Sequence, residues 1–263
     1  MRKKLIVTLA IIFTLLFSFI YITASGISQL SNETILFLFL DETEGEPGTV
    51  EVASLALFED AHLSQDLMEI NPLESTDELK REGLSLSDCL IKSRTSEDGI
   101  TIAQTIVESE TGISIDRVAL IDSTSLRLII DAVHPIPIDK TFQVTTLDKT
   151  LTLQARTTVS GTAAERCIRG TDYPGIQNDE LAKIPEDYLW EVKSKIINAV
   201  VTKLLQFSEH TREERNRFSA VVVEEYKKDN ILVYERNIVL TLVYYLPESV
   251  SKQIVSFAVR RIA

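Results

Sequence analysis

The stretch Ile115–Val133, "IDRVALIDSTSLRLIIDAV", decides the fold of this chain. Val118–Ile121 is a short apolar run of strand length, and Asp122 or Ser123 follows it as a residue of the type that caps a helix. The next apolar residues recur at helical spacing and form one face of a predicted helix: Leu126, Ile129, Ile130 and Val133. A buried strand that leads directly into an amphipathic helix indicates an α/β protein.

Segments on both sides of this unit alternate between strand and helix patterns. The predicted strands are Thr34–Leu40, Thr49–Phe58, Asp66–Ile70, Thr141–Leu147, Thr150–Arg156 and Asn230–Leu246. The predicted helices are one that ends at Gly112, one that Ser160 caps, one with an apolar stripe from Leu189 to Leu204 and Pro185 at its first position, and the segments Thr211–Lys228 and Glu248–Ile262. We therefore expect an α/β fold with a central mixed sheet flanked by helices on both faces, an αβα sandwich, together with an N-terminal transmembrane helix.

The N-terminus predicts the compartment. Three cations, Arg2, Lys3 and Lys4, precede the uncharged run Leu5–Ala24, whose twenty residues would span about 30 Å as a helix, enough to cross a bilayer. We expect a retained membrane anchor, and cleavage after Ala24 as a signal peptide is the alternative. In both cases the cations favour the cytoplasmic face, so the rest of the chain is predicted to lie outside the cytoplasm, tethered to the cell membrane by one helix.

The expected organisation follows from these patterns. Residues 1–4 form a cytoplasmic tail, residues 5–24 the anchor and residues 25–33 a linker. Residues 34–207 form the main domain, and residues 208–263 are a helix-strand-helix extension packed on it. A chain of this length buries a sizeable core in one domain with an appendage.

Charge and motif content exclude several function classes. Asp and Glu outnumber Lys and Arg by 39 to 27, for a net charge of −12, and an acidic surface repels phosphate backbones, so no nucleic-acid partner is expected. Zinc-type histidine spacing, a serine nucleophile elbow and nucleotide-binding glycine loops are absent from the sequence. Cys89 and Cys167 are the only cysteines; they form either one disulfide bridge or two buried thiols.

An arginine pair stands out in this acidic chain. Arg166 and Arg169 lie in "SGTAAERCIRGTDYPG", Ser160–Gly175, ahead of a turn. A guanidinium is a planar fork that suits phosphate, so one interpretation is an anion site. The other is that both arginines are solvated charges on a helix and at its exit.

The order of these motifs resembles the LytR–CpsA–Psr family of membrane-anchored cell-envelope proteins. The segment Thr111–Val133 is similar to the family's Gly-Ile-x-Ile-Asp turn, strand, Asp and helix. Val159–Gly170 is similar to its Gly-x-x-Ala-Leu-x-Tyr-Val-Arg element, with Gly161, Ala164 and Arg169 at matching positions. The resemblance covers roughly Ile35–Phe207 and marks the chain as a divergent member.

The resemblance implies a chemistry. Members of the family look like phosphotransferases that move a glycopolymer from a polyprenyl-pyrophosphate lipid to the cell wall, with arginines on the pyrophosphate, carboxylates on a magnesium ion and the lipid tail in a hydrophobic cleft. By this resemblance Arg169 and Lys183 are the candidate anion-binding residues, and Asp41, after the first strand, is the candidate metal ligand. Magnesium is the cofactor that the transferase interpretation requires.

Departures from the family's pattern weaken that interpretation. Glu46 and Gly48 stand where the family has an Arg and an Asp, and Leu73, Thr171 and Glu186 replace arginines. We therefore expect a non-catalytic or weakly catalytic envelope protein, a pseudoenzyme that binds a lipid-linked glycan or an envelope protein.

Two alternatives stay open at this point. The first is an active magnesium-dependent phosphotransferase whose ligands lie at other positions. The second is a resemblance in topology alone, with a partner-binding surface in the segment from Thr211 onward.

Overall fold

A computed structural model describes residues 33–41, 48–59, 62–76, 83–93, 96–147, 149–234 and 246–262 of the chain. Across these ranges, no helix combines the length and the apolar character needed to span a membrane. The predicted anchor at residues 5–24 lies outside them, as does most of the strand predicted over Asn230–Leu246.

A mixed sheet forms the centre of the described protein. Its strands are β1 (Thr34–Asp41), β2 (Thr49–Glu59), β3 (His62–Leu63), β4 (Met68–Ile70), β5 (Arg117–Asp122) and β8 (Ile231–Tyr234). The order is β3-β2-β1-β5-β8, and β4 also pairs with β2. Only the β1–β5 pair in this sheet is parallel among the described strands, and the others are antiparallel, so the predicted mixed sheet is confirmed.

The described helices are α1 (Cys89–Lys92), α2 (Ser96–Thr111), α3 (Ser123–Val133), α4 (Gly161–Ile168), α5 (Asn178–Leu181), α6 (Leu189–Leu205), α7 (Arg212–Lys227) and α8 (Glu248–Ile262). Short 3-10 turns cover Glu186–Tyr188 and Phe207–Glu209. Thr150–Val159 (β7) pairs with Ile136–Thr145 (β6) in a separate antiparallel hairpin.

Helices cover both faces of the central sheet and create two cores. On one face, Leu36, Leu38 and Leu40 of β1 pack with the buried side chains of α1 and α2. On the other, Phe39 packs with the buried side chains of α3, α4, α6 and α7 and of the hairpin. Alternate residues of a strand point to opposite faces, so the apolar run of β1 is buried on both sides, as its sequence predicts.

The β5–α3 unit has the structure that its sequence predicts. Asp122 ends β5 and caps α3, since its Oδ1 accepts a hydrogen bond of 2.7 Å from the Ser125 N–H. At the other end, the His134 N–H donates to the Ile130 carbonyl at 3.1 Å and the chain leaves the helix. The short strand β5 is therefore fixed beside β1, with its carboxyl end next to that of β1.

Three local features differ from the sequence expectations. The first hairpin strand runs over Ile136–Thr145 instead of the predicted Thr141–Leu147, and the second begins at Thr150 as predicted but continues to Val159, because the pairing extends from Ile136 with Val159 to Thr145 with Thr150. Pro185 lies before a 3-10 turn instead of at the first position of α6, which begins at Leu189. The two-residue strand β3 was not predicted, because it is too short to show a periodic pattern.

Candidate functional site

The carboxyl end of β1 brings Asp41 and Arg169 together. Asp41 is the last residue of β1, and Arg169 ends α4, the helix that the Ser160 side chain caps. The Arg169 Nε lies 3.4 Å from Asp41 Oδ1, and the two side chains are 39% and 36% exposed. The predicted anion ligand and the predicted metal ligand therefore meet, as an ion pair with each other.

A second carboxylate also contacts Arg169. The Glu165 Oε1 atom, one turn earlier on α4, lies 3.1 Å from the terminal nitrogen NH2 of Arg169. The other oxygen of Glu165 accepts a hydrogen bond of 2.9 Å from Arg127 on α3. Each arginine of this group thus has a carboxylate partner, and an incoming anion must compete with Asp41 and Glu165 for Arg169.

The close approach of α4 to α3 positions this group. The Gly161 N–H donates to Asp131 Oδ1 at 3.1 Å. A side chain at Gly161 would collide with the backbone carbonyl of Arg127, so only glycine permits this packing. The Gly-x-x-Ala pattern noted in the sequence is explained by helix packing.

Lys183 occupies a different setting from Arg169. It is exposed in the turn after α5, where its N–H donates to the Glu180 carbonyl at 3.1 Å. Among the described residues no carboxylate forms an ion pair with its amine. In the described parts of the chain no hydrogen bond or ion pair links Lys183 to Arg169 or Asp41, so these interactions do not join the two predicted anion ligands.

Lys193 on α6 is a charged residue that the sequence reasoning missed. Its residue exposure is 7%, and its Nζ donates to a carboxylate oxygen of Glu51 and, at 3.1 Å, to the Ile168 carbonyl. The sequence feature that could have indicated it is its position beside the apolar stripe of α6, one residue after Val192 and three before Ile196. A lysine next to that stripe lies close to the core. Its ammonium group therefore has to extend to solvent or be paired with a carboxylate or carbonyl oxygen.

A β-bulge aims Glu51 at that lysine. Phe39 pairs with Val52 and Leu40 pairs with Val50, so Glu51 is the extra residue between two regular pairs. A bulge redirects a side chain in a way that the alternation of apolar and polar residues does not reveal.

Two further groups nearby have displaced pKa values. Burial raises the pKa of the Tyr173 hydroxyl, and electrostatic interactions with the neighbouring Cys167 and Glu51 raise it further. Burial raises the pKa of the Cys167 thiol to about 12, against the opposing effect of Lys193. Both groups therefore stay protonated at neutral pH, and neither serves as a base.

The described residues at this end of the sheet do not fit a magnesium site. Magnesium prefers carboxylate oxygens in octahedral geometry. Asp41 faces a guanidinium, and both oxygens of Asp122 accept hydrogen bonds from Ser125. In the described parts of the chain no three His, Cys, Asp or Glu side chains are grouped so that they could hold a metal ion.

The three described positions at which the family has an arginine are exposed in the structure. Leu73 is 60% exposed, Glu186 begins an exposed 3-10 turn, and the Thr171 hydroxyl donates to the Arg166 carbonyl at 3.1 Å. Glu46 lies outside the described residues, and Gly48 is buried.

An apolar cavity of about 250 Å³ lies between the central sheet and the helices on the face of Phe39. Its floor is formed by alternate residues of three strands, its walls by α3, α6 and α7, and all the surface inside it is apolar. The strand residues that line it are Ile35, Phe37, Phe39, Arg117, Ala119, Ile121, Ile231 and Val233, and the guanidinium of Arg117 is paired with Glu33. On the same face of β1, Asp41 follows Phe39 by two residues, so the charged group lies beyond one end of this row.

Together the fold and the site define an α/β protein with a mixed sheet, an apolar cavity under its helices and a charge-compensated cluster at the carboxyl end of β1.

Neither a family profile nor a curated protein matches the chain. Among solved structures, Bacillus subtilis TagV is 14% identical, with 86% of this chain and 80% of that chain covered and a TM-score of 0.49. A protein of Enterococcus faecalis described as a transcriptional regulator is 16% identical, covering 88% and 74%, also with a TM-score of 0.49. B. subtilis TagT is 10% identical, covering 82% and 75%, with a TM-score of 0.41. Similarity at this level assigns no function.

Proposed function

We propose that the chain is a membrane-anchored, extracytoplasmic protein of cell-envelope glycopolymer assembly that binds a lipid-linked glycan and has little or no transferase activity. The apolar cavity on the Phe39 face carries this proposal, because it offers a polyprenyl tail a dry surface. Each methylene group buried from water contributes about 0.8 kcal/mol, so even part of a polyprenyl chain gains substantial binding energy there.

The charged cluster at the carboxyl end of β1 supports the proposed lack of transferase activity. A pyrophosphate needs cations that are free to neutralise its charge during phosphoryl transfer. Arg169 is held by Asp41 and Glu165, and Lys193 is held by Glu51. The cluster is therefore a weak anion site, and the lipid tail supplies most of the affinity.

The sequence supports the compartment. The uncharged run at residues 5–24 has the length and composition of a membrane anchor, and the resemblance to the LytR–CpsA–Psr family supports a location at the envelope. An excess of negative charge disfavours nucleic acid as a partner.

The experiment distinguishes binding of the polyprenyl tail from binding of the pyrophosphate headgroup. We would place the full chain in lipid nanodiscs and record its unfolding midpoint with a short polyprenyl pyrophosphate, with the polyprenol of equal length and with inorganic pyrophosphate. A ligand at about a hundredfold excess over its Kd adds about 2.7 kcal/mol of stability to the state that binds it. Both lipids are expected to raise the midpoint, and inorganic pyrophosphate is expected to have little effect.

A cavity-filling variant gives the control. Val222 lines the cavity from α7, and Val222→Phe should abolish the response to both lipids. Val250→Phe places the same ring on an exposed position of α8 and should leave the response unchanged. A response that is limited to the pyrophosphate lipid with magnesium, and lost in Arg169→Ala, would instead support an active transferase. No response to either lipid would overturn the proposal.

A further inference from the structure

The hairpin of β6 and β7 has two outer edges without a pairing partner among the described strands. The two strands pair over ten residues without a bulge, from Ile136 with Val159 to Thr145 with Thr150, and neither joins the central sheet. In the described parts of the chain no backbone hydrogen bond leaves either outer edge. Such an edge presents a row of N–H and C=O groups that can pair with a further strand.

The outer edge of β6 carries features that block pairing. Pro137 has no N–H to donate, and Asp139 and Lys140 place charges on the strand. The Lys140 amine is 2.6 Å from the Asp66 carboxylate, which brings another segment of the chain to this strand. Proline and charged residues are the means by which proteins protect an edge strand, so β6 is a poor template for a further strand.

The outer edge of β7 has no such protection over Thr150–Ala155. This stretch, "TLTLQA", contains neither proline nor a charged residue. Further along the strand the backbone of Gly175 lies against Arg156 and Thr157, since a side chain at Gly175 would come within 3.2 Å of the Arg156 nitrogen. The part of the edge that is open to a further strand is therefore Thr150–Ala155.

This open segment is complementary to itself. Antiparallel pairing of two copies about Thr152 places Thr152 opposite Thr152, Leu151 opposite Leu153, and Thr150 opposite Gln154. The leucine pairs lie on the core-facing side, where Leu151 is half-buried, and the Thr and Gln pairs lie on the exposed side. Threonine pairs and apolar pairs across strands both stabilise a sheet. A shift by one residue would turn the second copy over and expose its leucines, so the pattern specifies this register.

Charge also favours a second copy as the occupant of this edge. Two copies of a chain with a net charge of −12 repel each other, so their contact has to lie where like charges are not brought together. Every pair in the register about Thr152 is neutral. A six-residue strand pair is small beside a standard interface of about 1,200–2,000 Å², so the contact is weak in solution. The predicted membrane anchor would confine the copies to one surface and raise their effective concentration.

We propose that Thr150–Ala155 of β7 pairs antiparallel with the same segment of a second copy of this chain. The two hairpins then form one four-stranded sheet, in the order β6-β7-β7-β6, around a two-fold axis at Thr152. About half of the residues in each segment direct their N–H and C=O groups to the outer edge, and the pairing satisfies them. This dimer does not depend on the lipid binding proposed above.

Disulfide trapping of the full chain in liposomes tests the register. Thr152→Cys places two thiols opposite each other, about 5 Å apart between Cβ atoms, so mild oxidation should give a covalent dimer. Gln143→Cys is the matched control, because Gln143 is also exposed and is paired with Thr152 within the hairpin. Two copies of Gln143 would lie three strand spacings apart, about 14 Å, which is too far for a disulfide. Cys89 and Cys167 are buried and should not cross-link.

A charge on the edge tests the pairing independently of oxidation. Thr152→Lys puts two cations opposite each other, so it should weaken the dimer about fivefold or more, as measured by energy transfer between dye-labelled full chains in the same liposomes. Gln143→Lys adds the same charge to the same exposed face, away from the edge of β7, and should leave the energy transfer unchanged. Because both positions are exposed, both variants should keep the unfolding midpoint of the wild type.

Three results would overturn the proposal. Equal cross-linking of Thr152→Cys and Gln143→Cys would show that the chains collide without this register. Energy transfer that Thr152→Lys leaves intact would place the contact in the membrane anchor or on another surface. Energy transfer in the wild type that does not exceed random proximity would show that the chain is a monomer, whether or not a strand of another protein pairs with β7.

Discussion

Arg169 Nε lies 3.4 Å from Asp41 Oδ1 at the carboxyl end of β1. The residue that the sequence offers as an anion ligand is therefore already paired with a carboxylate, and Glu165 contacts it from a second side. Because both side chains of the Arg169–Asp41 pair are more than a third exposed, their pairing contributes little to stability. Its main effect is on what else Arg169 can bind.

Removing the Asp41 charge should strengthen anion binding. Asp41→Asn leaves a side chain of the same shape and frees the Arg169 guanidinium from one carboxylate. At the screened strength of a surface pair, about 1 kcal/mol at 4 Å, the affinity for inorganic pyrophosphate should rise about fivefold, as measured by isothermal titration calorimetry. The matched control is Asp139→Asn, which removes the carboxylate from another exposed pair, with Arg156 at 3.6 Å. Equal affinities in wild type and Asp41→Asn would show that Asp41 does not limit access to Arg169.

The elements that the sequence predicts well are those with strong periodicity or a cap. β1, β5 and α3 lie where their apolar patterns place them, and Asp122 and Ser160 cap their helices. Hydrophobic burial and local hydrogen bonds fix these elements, and both are visible in a short window of sequence.

Features that depend on contacts between distant segments were not predictable. Glu51 reaches Lys193 because of a bulge, and the bulge is set by the pairing of β2 with β1. The apolar cavity arises where three strands and three helices do not fill the space between them. The proximity of Asp41 to Arg169 followed from the family resemblance, whereas their ion pair did not.

Lys193 should contribute to stability more than an exposed lysine with the same contacts. Lys193→Met leaves the buried Ile168 carbonyl and the Glu51 carboxylate without their donor and should cost about 1–3 kcal/mol, as measured by urea denaturation. Lys92 also contacts a carboxylate, Asp88 at 2.8 Å, and a carbonyl, Gly83 at 2.9 Å, but its side chain is 49% exposed.

The matched variant Lys92→Met should therefore cost less than about 1 kcal/mol. Because the two lysines differ mainly in burial, the comparison isolates the penalty for an unsatisfied buried group. Equal losses in the two variants would contradict the role assigned to Lys193.

The two cysteines should remain thiols and should be unreactive in the folded protein. Cys89 belongs to the core on one face of the sheet and Cys167 to the core on the other, so a bridge between them is sterically excluded. Burial raises the pKa of each thiol to about 12, and the thiolate is the reactive form. Ellman's reagent at pH 8 should label them only after unfolding in guanidinium.

An introduced exposed thiol provides the comparison. Thr162→Cys on the outer side of α4 should react with the reagent immediately in the native protein. A disulfide-linked peptide containing Cys89 and Cys167 in mass spectrometry would refute the arrangement of the two cores.

The raised pKa values of the two thiols also predict that stability depends on pH. The folded state favours the protonated thiols, so their contribution to stability is full below the unfolded pKa of about 8.5 and declines as the pH rises from there toward 12.

The start of α7 is stabilised by a capping box whose strength should depend on pH. Thr211 Oγ1 accepts from the Glu214 N–H at 3.2 Å, and Glu214 Oε2 accepts from the Thr211 N–H at 2.6 Å. Thr211→Ala should cost about 1 kcal/mol of unfolding free energy. The hydrogen bonds from Thr211 hold the pKa of Glu214 below its ordinary value of 4.5, so its contribution is present at neutral pH and is lost as the pH falls through the lowered value.

Denaturation curves of the wild type and Glu214→Gln at a series of pH values would measure this dependence. The difference in unfolding free energy should be largest near neutral pH and should shrink in acid, because the protonated Glu214 resembles the glutamine. Glu213→Gln changes a charge in the same helical turn that takes no part in the box, and it controls for the interaction with the helix dipole. A difference between wild type and Glu214→Gln that stays constant with pH would show that the Glu214 charge does not contribute, and a pH-dependent difference that Glu213→Gln reproduces would place the stabilisation in the helix dipole and not in the capping box.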